Sequence, residues 1–277
     1  MKKVVITVMM VLVLALGTVG IAGAISDGTE DGNGHPYVGL MVAYDASGNA
    51  LWRCSGTLLS STVFLTAGHC TESPAASATV WFDSDVQSLP TCFDGAIGDP
   101  CYPYGGGDSY YGSNVYTHPD FYTAPFFVHD VGVVVLDSPA VKGTYGVLPA
   151  VNSLDTLKTK RGLQDVTFTA VGYGLQQSFP DAAAWKENNV KVRMVATPKL
   201  IQINVPGFTG DFSMLLSNNA HTGGTCFGDS GGPNFLGDSN VVAGVTSFGI
   251  NGNCAGTGGV FRMDRQDVQD FVNSFLP

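Results

Sequence analysis

The stretch that decides the fold is Gly228–Pro233, with the sequence GDSGGP, which sets Ser230 among three glycines directly after an aspartate. A serine in such surroundings is most often part of a tight turn. The stretch also satisfies the G-x-S-x-G pattern of α/β-hydrolases, whose catalytic histidine follows the serine in the chain. The five histidines, at positions 35, 69, 118, 129 and 221, all precede Ser230. The α/β-hydrolase interpretation is therefore excluded.

Two further segments could complete a catalytic site with Ser230. The sequence TAGHC contains His69, and HDVGVVVL places Asp130 before an apolar strand. Taken singly, a histidine beside a cysteine is usually structural, and an aspartate there could cap a turn. A carboxylate at the edge of a core must nevertheless find hydrogen-bond donors. The order His69, Asp130, Ser230 is that of the chymotrypsin triad, whereas the subtilisin fold needs crossover helices that this pattern lacks.

Most of the chain consists of short segments rich in β-branched and aromatic residues, separated by Gly, Asn, Asp and Ser. The segments that we expect to be strands are residues 37–44, 63–66, 131–136, 166–173, 190–195 and 241–248. Apolar residues recur with a helical period only at positions 268, 271, 272 and 275, after the candidate N-cap Asp264. Regular strands without alternating helices predict an antiparallel barrel or sandwich.

The composition excludes several classes of protein. The chain has 277 residues, of which 44% are hydrophobic and only 13% are charged, whereas disordered chains are poorer in apolar residues. The formal charge is -10, and nucleic-acid-binding proteins usually carry basic clusters. We therefore expect a globular protein that does not bind nucleic acid.

The first 24 residues differ from the rest of the chain. Lys2 and Lys3 precede an apolar run from Val4 to Leu16, and small residues follow up to Ala24. A positive start, a short apolar run and an A-x-A site predict a signal peptide over residues 1–24. The alternative is an uncleaved membrane anchor over residues 4–24. We expect export to the periplasm or the medium, with no stable membrane association after cleavage.

The chain has six cysteines, an even number that suits an exported protein with disulfides. No C-x-x-C pair and no His-rich segment accompanies them, so we expect no metal site and no other cofactor. Six cysteines can pair in many ways, and their spacing does not choose among them.

TAGHC, HDVGVVVL and GDSGGP, in this order, closely resemble the signature blocks of trypsin/chymotrypsin-like serine peptidases. The resemblance also includes the terminal helix and three shorter blocks: CSGT, which begins at Cys54, VGYG, which ends at Gly174, and SFG, which ends at Gly249. It implies two six-stranded antiparallel β-barrels, over residues 25–140 and 150–263, and a C-terminal helix over 264–276. It also implies a secreted serine endopeptidase that acts on proteins or peptides, with no feature that demands more than a monomer. The lack of other cysteines common in vertebrate relatives favours a microbial member.

The resemblance assigns roles to individual residues. It implies that Ser230 attacks the scissile carbonyl, that His69 takes the proton of Ser230, and that Asp130 orients His69. The N–H groups of Gly228 and Ser230 would form the oxyanion hole. The disulfides that it implies are Cys54–Cys70, Cys226–Cys254 and, from the two remaining cysteines, Cys92–Cys101. The alternative to an active peptidase is a trypsin-like fold that has lost catalysis and serves in binding or adhesion.

Two finer expectations concern the substrate pocket and activation. The resemblance implies that Gly224, six residues before the serine, lies at the base of the pocket, and this residue carries no carboxylate to pair with Arg or Lys. The pocket residues implied by the resemblance are Gly224, Ser247, Phe248, Gly249 and Gly259. We expect a roomy, neutral pocket for large apolar or aromatic side chains. By the same resemblance, cleavage after Ala24 would expose Ile25, whose ammonium would pair with Asp229. The alternative is that cleavage falls after Ala22, or that Asp229 only braces a turn.

Overall fold

The computed structural model describes residues 25–89, 106–123, 128–157, 165–176, 190–206 and 209–277. The expected signal peptide and the expected Cys92–Cys101 disulfide lie outside these residues. The described strands are β1 (Thr29–Glu30), β2 (Val38–Tyr44), β3 (Ala50–Leu58), β4 (Val63–Thr66), β5 (Ser77–Trp81), β6 (Ser109–Gly112), β7 (Asn114–Thr117), β8 (Gly132–Val135), β9 (Phe168–Gly172), β10 (Met194–Ala196), β11 (Leu200–Val205), β12 (Gly210–Asn218), β13 (Pro233–Leu236), β14 (Val242–Gly249) and β15 (Gly256–Arg262). The α-helices are α1 (Gly68–Thr71) and α2 (Gln266–Asn273), and short 3₁₀ helices cover Pro119–Thr123 and Ser153–Thr156.

The strands form two antiparallel sheets. The first has seven strands in the order β6-β5-β2-β3-β4-β8-β7. Its two edge strands, β6 and β7, are separated in the chain only by Ser113, so one continuous segment pairs with β5 on one side and with β8 on the other. This segment joins the two edges, and the sheet has the shape of a barrel.

The second sheet has eight strands in the order β1-β10-β9-β13-β14-β15-β12-β11. Strand β11 lies at one end of this sheet, and β10, which precedes it closely in the chain, lies next to β1 at the other end. The two-residue strand β1 adds to β10, so the start of the described chain belongs to the second sheet. The expected fold, with two barrels and a terminal helix, is confirmed. The strands number seven and eight, instead of six in each barrel, because β6 and β7 divide one segment, β10 and β11 divide another, and β1 joins the second sheet.

Several of the expected strands differ from those observed. Residues 63–66 form β4 as expected, whereas the strand expected over residues 190–195 begins only at Met194 and ends at Ala196. The long strands β3, β12 and β15 were not expected, since polar residues and glycines interrupt their apolar pattern. Asp264 is not the N-cap of α2: that position is Arg265, and the buried Asp264 carboxylate instead accepts hydrogen bonds from Arg262.

The largest cluster of buried apolar residues draws side chains from both sheets. Phe64 and Val134 come from the first sheet, and Val171 and Phe235 come from the second. Strand β3 of the first sheet also approaches β13 of the second. The loops that carry His69, Asp130 and Ser230 lie around this junction, which is where a site shared by the two halves can form.

Candidate active site

His69 lies on the single helical turn α1, directly after strand β4. Two contacts hold this turn against strand β3. A disulfide joins Cys54 to Cys70, and the indole N–H of Trp52 donates a hydrogen bond of 2.9 Å to the Cys70 carbonyl. The imidazole therefore projects from a turn that is fixed both covalently and by hydrogen bonding.

Asp130 precedes strand β8, and its side chain is wholly buried. One carboxylate oxygen accepts the backbone N–H of His69 at 2.9 Å, and the other lies 2.9 Å from His69 Nδ1. The hydroxyl of Ser247 donates to the second oxygen at 2.5 Å. These contacts place the imidazole proton on Nδ1, which leaves Nε2 as the acceptor.

The surroundings of His69 alter its basicity. Burial lowers the pKa of the imidazole, but the charge of Asp130, its hydrogen bond to the ring and the charge of Glu72 outweigh burial, so the pKa is raised above 6.5. A raised pKa makes the neutral imidazole a stronger base, which suits it to take a proton from a hydroxyl.

Ser230 lies in the loop before strand β13, where left-handed glycines flank it. Gly228 has a φ of 94° and Gly231 has a φ of 77°, conformations that L side chains rarely adopt. Ser55 of β3 binds this loop from the opposite sheet: its N–H donates to the Ser230 carbonyl at 2.8 Å and its hydroxyl to the Gly228 carbonyl at 2.9 Å. Ser230 and His69 line the same cavity.

The loop leaves two main-chain donors available beside Ser230. The N–H of Asp229 donates to the Cys226 carbonyl and that of Gly231 to the Thr246 carbonyl. Among the hydrogen bonds of the described residues, none has the N–H of Gly228 or Ser230 as its donor. These are the two groups that the sequence predicts as the oxyanion hole.

Asp229 is a second wholly buried carboxylate. It accepts the N–H of Gly174 at 2.7 Å and that of Cys226 at 2.9 Å. A Cβ at Gly172 or Gly174 would collide with its carboxyl group, so these glycines make room for it. Burial raises the pKa of Asp229 to about 7, although the two N–H donors and the positive charge of Arg53 lower it.

Ile25 is wholly buried and packs with Ala170, Met194 and Ala196 of the second sheet. Beside it, the Ser26 carbonyl accepts the N–H of Gly224 at 3.0 Å. The start of the described chain is thus docked against the segment that leads to Ser230. In the intact chain the nitrogen of Ile25 is part of a peptide bond, and the described hydrogen bonds of Asp229 do not include it.

A cavity of about 300 Å³ opens beside Ser230. Its walls include three of the predicted pocket residues, Ser247, Phe248 and Gly249. Its complete lining is His69, Thr225, Cys226, Phe227, Ser230, Thr246, Ser247, Phe248, Gly249, Asn251 and Cys254. None of these lining residues is acidic.

Two predicted pocket residues do not line this cavity. A Cβ at Gly224 would collide with the buried Asn218 side chain, and one at Gly259 would collide with the ring of Phe248. A Cβ at the neighbouring Gly258 would instead lie 3.0 Å from the hydroxyl of Thr225, which does line the cavity. The sequence determined neither the side of the strand nor the place of Asn218, so the assignment of these two positions to the pocket stays a prediction.

Two of the expected disulfides are present. Cys54–Cys70 holds the His69 turn, and Cys226–Cys254 joins two walls of the cavity. Sequence reasoning missed three other contributors: Ser55, which binds the Ser230 loop, Ser247 in its contact with Asp130, and Arg53 near Asp229. Ser55 follows Cys54 in the CSGT block, so its place in that motif was the only available signal.

The comparisons with known proteins agree with this geometry. The family model described as Trypsin matches residues 27–272. Serine protease 1 of Drosophila melanogaster is 26% identical over 239 residues, which cover 84% of this chain and 78% of that protein. The collagenase of Hypoderma lineatum is 26% identical over 202 residues, which cover 73% of this chain and 67% of that protein. These curated relatives are insect proteins, so the expectation of a microbial member is not supported.

Two solved structures show the same fold. The HL collagenase structure has a TM-score of 0.66 and 22% identity, and the match covers 90% of this chain and 97% of that one. The HBP structure has a TM-score of 0.62 and 16% identity, with 91% and 96% covered. At such identities the likeness concerns the fold alone. Because the family model spans most of the sequence and relatives named as proteases align along it, the chain belongs to the trypsin family and is a serine endopeptidase.

Proposed function

We propose that the chain is a secreted serine endopeptidase in which His69, Asp130 and Ser230 form the catalytic triad. The observation that carries the proposal is the set of contacts at Asp130, which fix the tautomer of His69 beside the cavity that Ser230 lines. In this arrangement Ser230 Oγ attacks the scissile carbonyl while His69 Nε2 takes its proton. His69 then gives the proton to the leaving amine, and water hydrolyses the acyl-enzyme by the same route.

The negative charge that develops on the substrate carbonyl oxygen needs donors that are already in place. The N–H groups of Gly228 and Ser230 serve this role, each contributing about 3–4 kcal/mol to stabilisation of the transition state. The left-handed backbone of Gly228 sets the orientation of its N–H group, and the contacts of Ser55 hold the loop in this conformation.

A fluorophosphonate probe tests the triad directly, since it labels only an activated serine. We expect labelling of the processed protein, loss of labelling in Ser230→Ala, and a fall in kcat of about a million-fold. Ser47→Ala, which changes an exposed serine, is the matched control and should be labelled like the parent. Absence of labelling in folded parent protein would instead support the binding or adhesion alternative.

The substrate pocket is proposed to be neutral and to prefer large apolar or aromatic side chains. The support is the size of the cavity and the absence of an acidic group among its lining residues. A peptide library with varied residues before the scissile bond tests this preference. Native collagen should be included among the protein substrates that are tested, because one relative is named a collagenase. A clear preference for Arg or Lys would refute the proposed pocket.

A pair of substitutions sharpens the pocket proposal. Thr225→Asp places a carboxylate on the cavity wall, and we expect cleavage after Lys or Arg to gain about ten-fold or more relative to cleavage after Phe. Gly224→Asp is the matched comparison. Its side chain would meet Asn218 instead of the cavity, so we expect no such gain. The ratio of kcat/KM values for the two substrate types measures both effects.

The remaining proposals concern export and activation. We propose that residues 1–24 direct secretion, to the medium or the periplasm, and that removal of this segment exposes Ile25 as the activating terminus of a monomer. The support for this role is that Ile25 is buried against the second sheet, beside Ser26, which accepts a hydrogen bond from Gly224 in the segment that leads to Asp229. N-terminal sequencing of secreted active protein should begin at Ile25. Within the described residues, the helices are too short to span a bilayer.

A further inference from the structure

A cluster of two histidines and an aspartate includes the residue directly before Asp130 and has no part in the proposed mechanism. It consists of His118, Asp120 and His129, and one ligand atom from each residue lies within 4.8 Å of the other two. The imidazoles of His118 and His129 are stacked, with ring centroids 4.9 Å apart and an interplanar angle of 9°. Two histidines and a carboxylate are a donor set that suits zinc.

His129 has one nitrogen that the surrounding protein does not satisfy. Its Nε2 lies 2.9 Å from a carboxylate oxygen of Asp267 on helix α2, which places the proton on Nε2. Its Nδ1 is buried and has no hydrogen-bond partner among the described residues. A buried nitrogen lone pair without a donor is costly, and metal coordination would satisfy it. The residue also has a φ of 62°, a left-handed conformation that is uncommon outside glycine.

His118 presents a nitrogen that accepts only one long hydrogen bond within the described part of the chain. The ring is almost wholly buried, and its Nδ1 accepts the N–H of Asp120 at 3.2 Å, a long hydrogen bond that a metal could replace. Because Nδ1 is an acceptor, the neutral ring carries its proton on Nε2. The Asp120 carboxylate belongs to an exposed residue, so the cluster has a side that is open to ions from solvent.

We propose that His118, Asp120 and His129 form a zinc site, with water as the fourth ligand. Zn–N and Zn–O bonds of about 2.0–2.2 Å require ligand atoms roughly 3.3 Å apart, so atoms that now lie within 4.8 Å of one another must approach by at most about 1.5 Å. Asp267 supplies the outer hydrogen bond to the proton-bearing nitrogen of His129, as carboxylates do for histidines that bind zinc. Zinc would hold the peptide that leads directly into Asp130.

Zinc titration of the processed Ser230→Ala protein tests the site without autolysis, and its outcome does not depend on the proposed function. Isothermal titration calorimetry with ZnCl₂ should show one ion per chain. Asp267→Asn should weaken binding by about ten-fold, and His118→Gln and His129→Gln should each weaken it further. Asp120→Asn changes an exposed residue, so it should weaken binding while leaving the near-UV circular dichroism unchanged.

Two controls separate this site from other histidines. His221→Gln, at an exposed histidine outside the cluster, should bind zinc like the parent, and so should His69→Ala. No zinc binding by folded Ser230→Ala protein would overturn the proposal. Binding that is lost in His69→Ala, or that persists unchanged in the His118, Asp120 and His129 variants, would overturn it equally.

Discussion

Asp130 and Asp229 are both wholly buried carboxylates beside the catalytic residues, but they are stabilised differently. Asp130 accepts from the main chain and ring of His69 and from the hydroxyl of Ser247. Asp229 accepts two main-chain N–H groups, from Gly174 and Cys226. One carboxylate therefore faces a group that can become a cation, and the other faces mainly amides.

The pKa values show the consequence of this difference. Asp130 raises the pKa of His69, which means that it stabilises the cationic form of the imidazole. Burial raises the pKa of Asp229 to about 7 despite its two N–H donors and the charge of Arg53. Hydrogen bonds alone thus do not compensate the lost hydration of Asp229. A further positive charge, such as the ammonium of a freed Ile25, would complete its surroundings.

Of the changes at or around these two carboxylates, removing the charge of Asp130 has the largest expected effect. Asp130→Asn should lower kcat by about 10⁴-fold, a magnitude measured for the equivalent change in a related enzyme. Because Asp130 raises the pKa of His69, its loss should move the acid limb of the kcat/KM profile to lower pH. Steady-state kinetics from pH 5 to pH 9 measures both. Asp137→Asn, at an exposed aspartate, is the control.

A smaller effect is expected when Asp229 lacks the positive charge of the Ile25 ammonium. Processed protein that begins at Gly23 instead of Ile25 should lose about 10²–10³-fold in kcat/KM, comparable to the loss of one oxyanion donor. Asp229→Asn should have a similar effect, and adding the extension to that variant should cost little more. Full activity of the extended protein would show that Ile25 does not act through Asp229.

The sequence predicted the parts of this comparison that depend on local motifs. The residues His69, Asp130 and Ser230 were chosen from three short blocks, and the structure brings His69 and Asp130 together. The surroundings of the carboxylates were less predictable, since Ser55 and Arg53 come from β3, far from Asp229 in the chain. The same is true of the pocket, where Asn218 occupies the space beside Gly224. The histidine cluster arises because the 3₁₀ turn near His118, the start of β8 and helix α2 meet, and no contiguous motif encodes that meeting.

Arg53 should influence the stability of the protein through Asp229. Because the pKa of Asp229 in the folded protein is about 7 instead of 3.8, the stability contributed by this group is complete below pH 4 and is lost as the pH rises through 7. Arg53 lowers that pKa, so Arg53→Gln should raise it further. We expect Arg53→Gln to lower the free energy of unfolding by about 1–3 kcal/mol at pH 9 and by less at pH 5. Urea unfolding measures the difference in Ser230→Ala protein whose Ile25 nitrogen remains in a peptide bond, as in protein that begins at Gly23, and Arg53→Lys should retain most of the parent behaviour.

The smallest expected effect tests the hydroxyl of Ser247, the neutral donor to Asp130. Ser247→Ala leaves the contacts between Asp130 and His69 in place, so we expect kcat to fall only about 2–10-fold, as for loss of a single hydrogen bond. With one donor fewer, the Asp130 carboxylate interacts more strongly with the imidazole, and the acid limb of kcat/KM should move to higher pH. Asp130→Asn shifts that limb the opposite way. An unchanged or lowered limb in Ser247→Ala would show that Ser247 affects catalysis through the shape of the cavity instead of through the charge of Asp130.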